Sequence, residues 1–134
     1  MDSNFIFPDL KKVAQPYSED LWETTNEYGW VDVMYGGQAV MQIWNLPMED
    51  KKKNIVLNFW PYSFDYGLVK RFKECPYYKD FAALDSEEDN YMQAAYGTDI
   101  VHALKVASYI LTEVYNIPTS YPLDVQAEKP LATW

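Results

Sequence analysis

An α+β fold follows from three features of this sequence. Two runs with period-two alternation, residues 30–35 and 38–44, flank Gly36-Gly37, the composition of a tight hairpin turn whose central residues need positive φ. A third such run, residues 54–60, stops at Pro61, which cannot donate to a ladder. Far along the chain, Ile100, Leu104, Ala107, Leu111 and Val114 recur at helical spacing. Together they predict a single antiparallel sheet of about four strands, a three-strand meander plus a C-terminal edge strand, packed by helices on one face.

Each element has a local reason. Residues 1–15 read as an irregular lead-in, with Phe5, Ile6 and Phe7 available to tuck onto the core. A first helix is predicted over 16–28: Ser18 can cap it, Glu19, Asp20 and Glu23 suit the positive end of its dipole, and Gly29 can end it. In the hairpin, Val31, Val33 and Tyr35 point one way, and Ala39, Met41 and Ile43 are placed on the same face. Asn45-Leu46-Pro47 breaks the second strand, and the lysine run Lys51-Lys52-Lys53 reads as a solvated loop. In the third strand, Ile55, Leu57 and Phe59 oppose Val56, Asn58 and Trp60. Residues 65–84 suggest one or two short helices interrupted at Cys75-Pro76, because proline pushes the residue before it out of the helical region. Ser86 with Asp89 three positions on resembles a capping box that opens a helix toward Ala95. Gly97 stops that helix, Thr98 or Asp99 restarts a longer one to about Tyr115, and Asn116 and Pro118 end it. Residues 121–127 form the edge strand, and 128–134 a tail.

The 134 residues fit one domain, 1–134, able to bury a core without disulfide staples. Apolar residues at 49% and charged residues at 23% place the chain among globular proteins and not disordered ones. The single cysteine fits a reducing compartment, and neither a basic-then-apolar leader nor a long apolar run is evident. A cytoplasmic protein with no membrane contact is the expectation.

Twenty-three aromatic residues stand beside one histidine, one cysteine and one arginine, and 20 acids outnumber 11 bases for a net charge of -9. The charge is blocked: residues 1–50 carry a net -7, residues 51–79 a net +5 and residues 80–134 a net -7. Such a field repels phosphate backbones, and one arginine leaves almost no bidentate base readout, so no nucleic-acid partner is predicted and a basic protein suits the charge better.

Catalytic equipment is equally thin. His102 lies inside the long helix with no motif supplying a nucleophile or an orienting carboxylate, and reads as a packing residue. Cys75 has Arg71 and Lys73 near it in sequence but reads as a buried thiol. The acidic run 85–90 lacks both the glycine and the final glutamate of a calcium loop, so no metal and no cofactor is predicted. A carboxylate-based hydrolase ranks last, because twenty acids produce accidental pairs without placing any two across a cleft.

What remains is aromatic and acidic surface. Trp60, Tyr62, Phe64, Tyr77 and Tyr78, with the acids Asp85, Glu87, Glu88 and Asp89, form the predicted partner-binding set. Acid mixed with exposed tyrosine and tryptophan suits lysine- and arginine-rich proteins, through ion pairs and cation–π contacts. The sequence therefore predicts a non-enzymatic module that neutralises or escorts a basic protein, of the inhibitor, immunity-protein or chaperone type. A small-molecule or nucleotide-binding module with an aromatic pocket, between sheet and helices or at a homodimer interface, is the alternative. The charge blocks and the edge at 121–127 are compatible with a homodimer.

Overall fold

The computed structural model describes residues 4–14, 29–45, 54–59, 66–83, 92–97 and 99–127. The predicted helix over 16–28, the lysine run 51–53, the acidic helix start at 85–89 and the tail 128–134 lie outside the described residues.

Among the described residues six strands form one antiparallel sheet: β1 (Gly29–Tyr35), β2 (Gln38–Asn45), β3 (Ile55–Phe59), β4 (Ala82–Ala83), β5 (Met92–Ala95) and β6 (Asp124–Ala127), in the order β4-β5-β3-β2-β1-β6. Among the described residues three α-helices accompany them: α1 (Pro8–Ala14), α2 (Tyr66–Glu74) and α3 (Ile100–Tyr109), the last running into a π-helical turn over Ile110–Val114. The class is α+β, as the alternation and the helical spacing predict, and the meander β1-β2-β3 with β6 as an edge is present.

The sheet is larger than about four strands because its other side continues. Met92 and Ala94 are buried while Ala95 is exposed, and β5 pairs with β3 from Val56↔Ala95 to Phe59↔Met92. The helix expected to reach Ala95 is therefore corrected: these four residues form a strand, and pairing on both sides, with β3 and with β4, outweighs the modest helix preference of Gln and Ala. The lead-in is corrected too. Pro8 occupies the first helical position of α1, where its missing N–H costs nothing, and Phe7 and Leu10 are fully buried.

Gly36 and Gly37 both have positive φ, 62° and 76°, as a two-residue turn that follows the sheet's twist demands. The register slips between Val33 and Met34: Val33 faces Met41 but Met34 faces Ala39, which leaves Val40 as the extra residue of a bulge. Ala39 consequently joins the face of Met34, not that of Met41 and Ile43. The bulge also frees the Val40 carbonyl, which accepts a hydrogen bond from the Tyr115 hydroxyl at 2.7 Å.

One face of the sheet carries the core. Val33, Met41, Leu57, Phe59, Met92 and Ala94 cluster with Phe7 and Leu10 of the α1 region, Leu68 and Phe72 of α2, and Leu104, Val106, Ala107, Ile110 and Leu111 of α3 and its π turn. Ser108 is the one fully buried polar side chain among the described residues, and its hydroxyl accepts the Phe7 N–H at 3.2 Å, joining the lead-in to α3. The opposite face is polar along one transverse row, where Gln126, Asp32, Gln42, Asn58 and Gln93 stand side by side on five strands. Gln42 donates to Asp32 at 2.8 Å and Gln93 to Asn58 at 3.4 Å, cross-strand pairs that favour this register over its neighbours.

Candidate contact surface

Three chain segments distant in sequence converge at one surface. The first begins where Pro76 halts α2. The Tyr78 N–H returns to the Cys75 carbonyl, and a single 3₁₀ turn over Tyr78–Asp80 follows. This turn sets Tyr77 edge-on against Tyr109 of α3, ring centres 5.3 Å apart, and against His102 at 6.1 Å. Tyr78 packs its edge on Phe72 at 5.0 Å yet remains 37% exposed.

The second segment is the end of β5. Tyr96 donates its N–H to the Ile55 carbonyl at 2.8 Å, which prolongs the ladder by one residue and fixes the direction of its side chain. Its ring lies edge-on to His102 at 5.2 Å, and its hydroxyl donates to the Asp80 carboxylate at 3.2 Å. The third is the first turn of α3, where the Asp99 side chain caps the helix by accepting the His102 N–H at 3.1 Å. Val101 beside it is 53% exposed, the most exposed of the large apolar residues described.

The outcome is a surface in which His102 lies between Tyr77 and Tyr96, with carboxylates at Asp80 and Asp99 and apolar area at Val101 and Tyr78. Burial pushes the Tyr96 phenol up first, and the negative Asp80 beside it, which accepts its hydrogen bond, pushes it further. Tyr96 accordingly stays a neutral donor to Asp80, and the charge at this spot belongs to the carboxylate.

Cys75 lies directly beneath. Burial raises its thiol above the usual range, with Asp80 adding to that, while the Tyr77 N–H 3.5 Å from the sulfur acts in the opposite sense. A raised thiol is a poor nucleophile. Ellman's reagent is expected to modify Cys75 slowly in the native protein and at once in guanidinium chloride; equally fast labelling in both would contradict the buried placement.

Of the predicted contact residues, Tyr77 and Tyr78 fall at this surface. Trp60, Tyr62, Phe64, Asp85, Glu87, Glu88 and Asp89 lie outside the described residues. The structure adds Asp80, Tyr96, Asp99, Val101 and His102. Two signals for them were present in the sequence: Asp99 three positions before His102 has N-cap spacing, and Tyr96 precedes the turn glycine Gly97. Among the described residues, no three His, Cys, Asp or Glu side chains gather as a metal site would require, and no helix is long and apolar enough to cross a membrane. Comparison with known protein families, with curated proteins and with solved structures found no match to this chain.

Proposed function

We propose that this protein is a non-enzymatic binding module that neutralises or escorts a basic protein partner in the cytoplasm. The observation that carries the reading is the grouping of Tyr77, Tyr96 and His102 with the carboxylates of Asp80 and Asp99. Tyrosine rings held edge-to-face by neighbours lose little freedom on binding, which makes them economical anchors. A lysine or arginine laid across them meets a π face and a carboxylate together, and each contact strengthens as the other excludes water. The chain's net charge of -9 adds long-range attraction for a basic partner and speeds encounter.

The test is capture of partner proteins from native lysate on the immobilised chain, repeated with D80N/D99N. Asparagine keeps an oxygen for the Tyr96 hydroxyl and for the α3 cap, so the variant removes charge and not structure. Two exposed ion pairs contribute roughly 0.2–1 kcal/mol each, so retention is expected to weaken about tenfold and to fall as salt rises. Capture that is indifferent both to salt and to the double substitution contradicts the reading.

A further inference from the structure

A separate cleft of about 320 Å³ opens between the tip of the β1–β2 hairpin, α2 and the residue after the π turn, lined by Tyr35, Gly36, Gln38, Leu68, Arg71 and Tyr115 among others. None of these residues belongs to the surface around His102. Its walls are held from behind. The Tyr115 hydroxyl is tied to the Val40 carbonyl at 2.7 Å, and the Tyr35 ring rests edge-on against Tyr121 at 5.0 Å. Leu68 is almost wholly buried and backs the cleft from the core side. At the rim, the space beside Gly36 where a side chain would stand is open.

Arg71 is the chain's only arginine, and its placement is unusual for so acidic a protein. Its Nε donates to the Val114 carbonyl at 2.7 Å, a bond that fixes the guanidinium plane and uses one of its five N–H groups. Among the described residues no carboxylate pairs with it, although acids outnumber bases by 20 to 11. A guanidinium anchored through Nε keeps its two Nη groups as a parallel fork, the geometry that matches a carboxylate.

We propose that this cleft binds a small aromatic monocarboxylate, its carboxylate on the Arg71 fork, its ring against Tyr35 and Tyr115, and Gln38 as a further donor at the rim. Three features select that class. The volume lies at the small end of the ~300–1,000 Å³ typical of ligand cavities, enough for one ring and its substituents. The walls set the Tyr35 and Tyr115 side chains beside the Arg71 guanidinium and the Gln38 amide, which suits a ring that carries one charged group. The cleft offers one guanidinium within a chain of net charge -9, which balances one negative charge and disfavours polyanions.

Because there is one arginine, its side-chain Nε–H gives a single nitrogen-15 resonance, a direct reporter of the site. Benzoate is the probe, benzyl alcohol the uncharged control and inorganic phosphate the inorganic anion. Benzoate is expected to shift the Arg71 Nε–H and the Gly36 and Gln38 amides saturably, with benzyl alcohol and phosphate each about tenfold weaker or more. R71K keeps the charge but loses the fork, and is expected to weaken benzoate binding about tenfold. Q38E leaves Arg71 untouched and sets a like charge at the exposed rim, so it too is expected to weaken benzoate while the protein stays folded. Absence of a saturable shift, equal affinity for benzyl alcohol or phosphate, or unchanged binding in both variants overturns the proposal.

Discussion

Replacing Phe72 with alanine is expected to cost about 3–5 kcal/mol, the usual range for deleting a buried phenylalanine, and to lower Tm by roughly 10–20 °C. Phe72 is 1% exposed and stands where α2 meets the sheet. It meets Phe59 of β3 edge-to-face at 4.6 Å, Phe81 at 5.4 Å and Tyr78 at 5.0 Å, while Phe59 also packs on Phe81 at 5.2 Å. These partners come from different elements, so no single one can move in to fill the space, and the cavity term adds to the lost burial. Total stability for a domain is of order 5–15 kcal/mol, so the variant forfeits a large share of it. Urea unfolding followed by fluorescence provides the measurement, and a loss under ~1 kcal/mol would mean that the aromatic cluster is not the centre of the core.

The second large effect is alkaline lability. Burial alone pushes the Tyr115 phenol far up, and burial together with Asp80 does the same for Tyr96. Both therefore have folded pKa values above those of the unfolded chain, where tyrosine titrates near ~10. Their neutral form is stabilised by the fold, so the contribution is complete below pH ~10 and is lost as pH rises from there toward the folded values. Each such group steepens the decline by up to about 1.4 kcal/mol per pH unit. Stability measured at a series of pH values should be flat with respect to these tyrosines up to about 9 and fall beyond 10, with the last part of the tyrosinate absorbance appearing only with unfolding. Y115F separates the terms: at neutral pH it costs about 1–3 kcal/mol, because the Val40 carbonyl loses its donor, but its alkaline decline is shallower by one proton. Tyrosinate appearing in full while the native fold persists would contradict the burial of Tyr115.

The two predictions draw on parts of the fold that were unequally legible in the sequence. The meander was legible because Gly36-Gly37 dictates its turn and alternation dictates its faces, and α3 because five apolar residues repeat at helical spacing. β5 was not. Met92-Gln93-Ala94-Ala95 contains no β-branched or aromatic residue, and its conformation comes from ladders to β3, distant in the chain, and to the two-residue strand β4. The helix α1 depends likewise on distant contacts: Phe7 bonds to Ser108, and the Asp9 carboxylate accepts the Leu123 N–H at 3.0 Å, more than a hundred residues away. The bulge at Val40 is equally silent in the sequence, since the apolar run Ala39-Val40-Met41 fits either face and marks no change of register.

The proposed contact surface divides in the same way. Tyr77 and Tyr78 were readable as aromatic side chains in excess of what a core needs. His102 read as a packing residue and does pack, but against Tyr77 and Tyr96, and that arrangement requires the 3₁₀ turn, the end of β5 and the start of α3 to meet. No local pattern encodes such a meeting. The scarcity of special residues turns out to be useful, because the one histidine marks the proposed surface and the one arginine the proposed cleft.

The ring resonances of His102, unmistakable as the only histidine, test the central claim most directly. A synthetic lysine- and arginine-rich peptide is titrated into the labelled protein at low and at high salt. Saturable shifts of the His102 ring and of the Tyr77, Asp80, Tyr96 and Asp99 amides are expected, fading as salt is raised and reduced about tenfold in affinity in D80N/D99N. Peptide binding that leaves those signals in place, or that persists unchanged in the double variant, would contradict the claim.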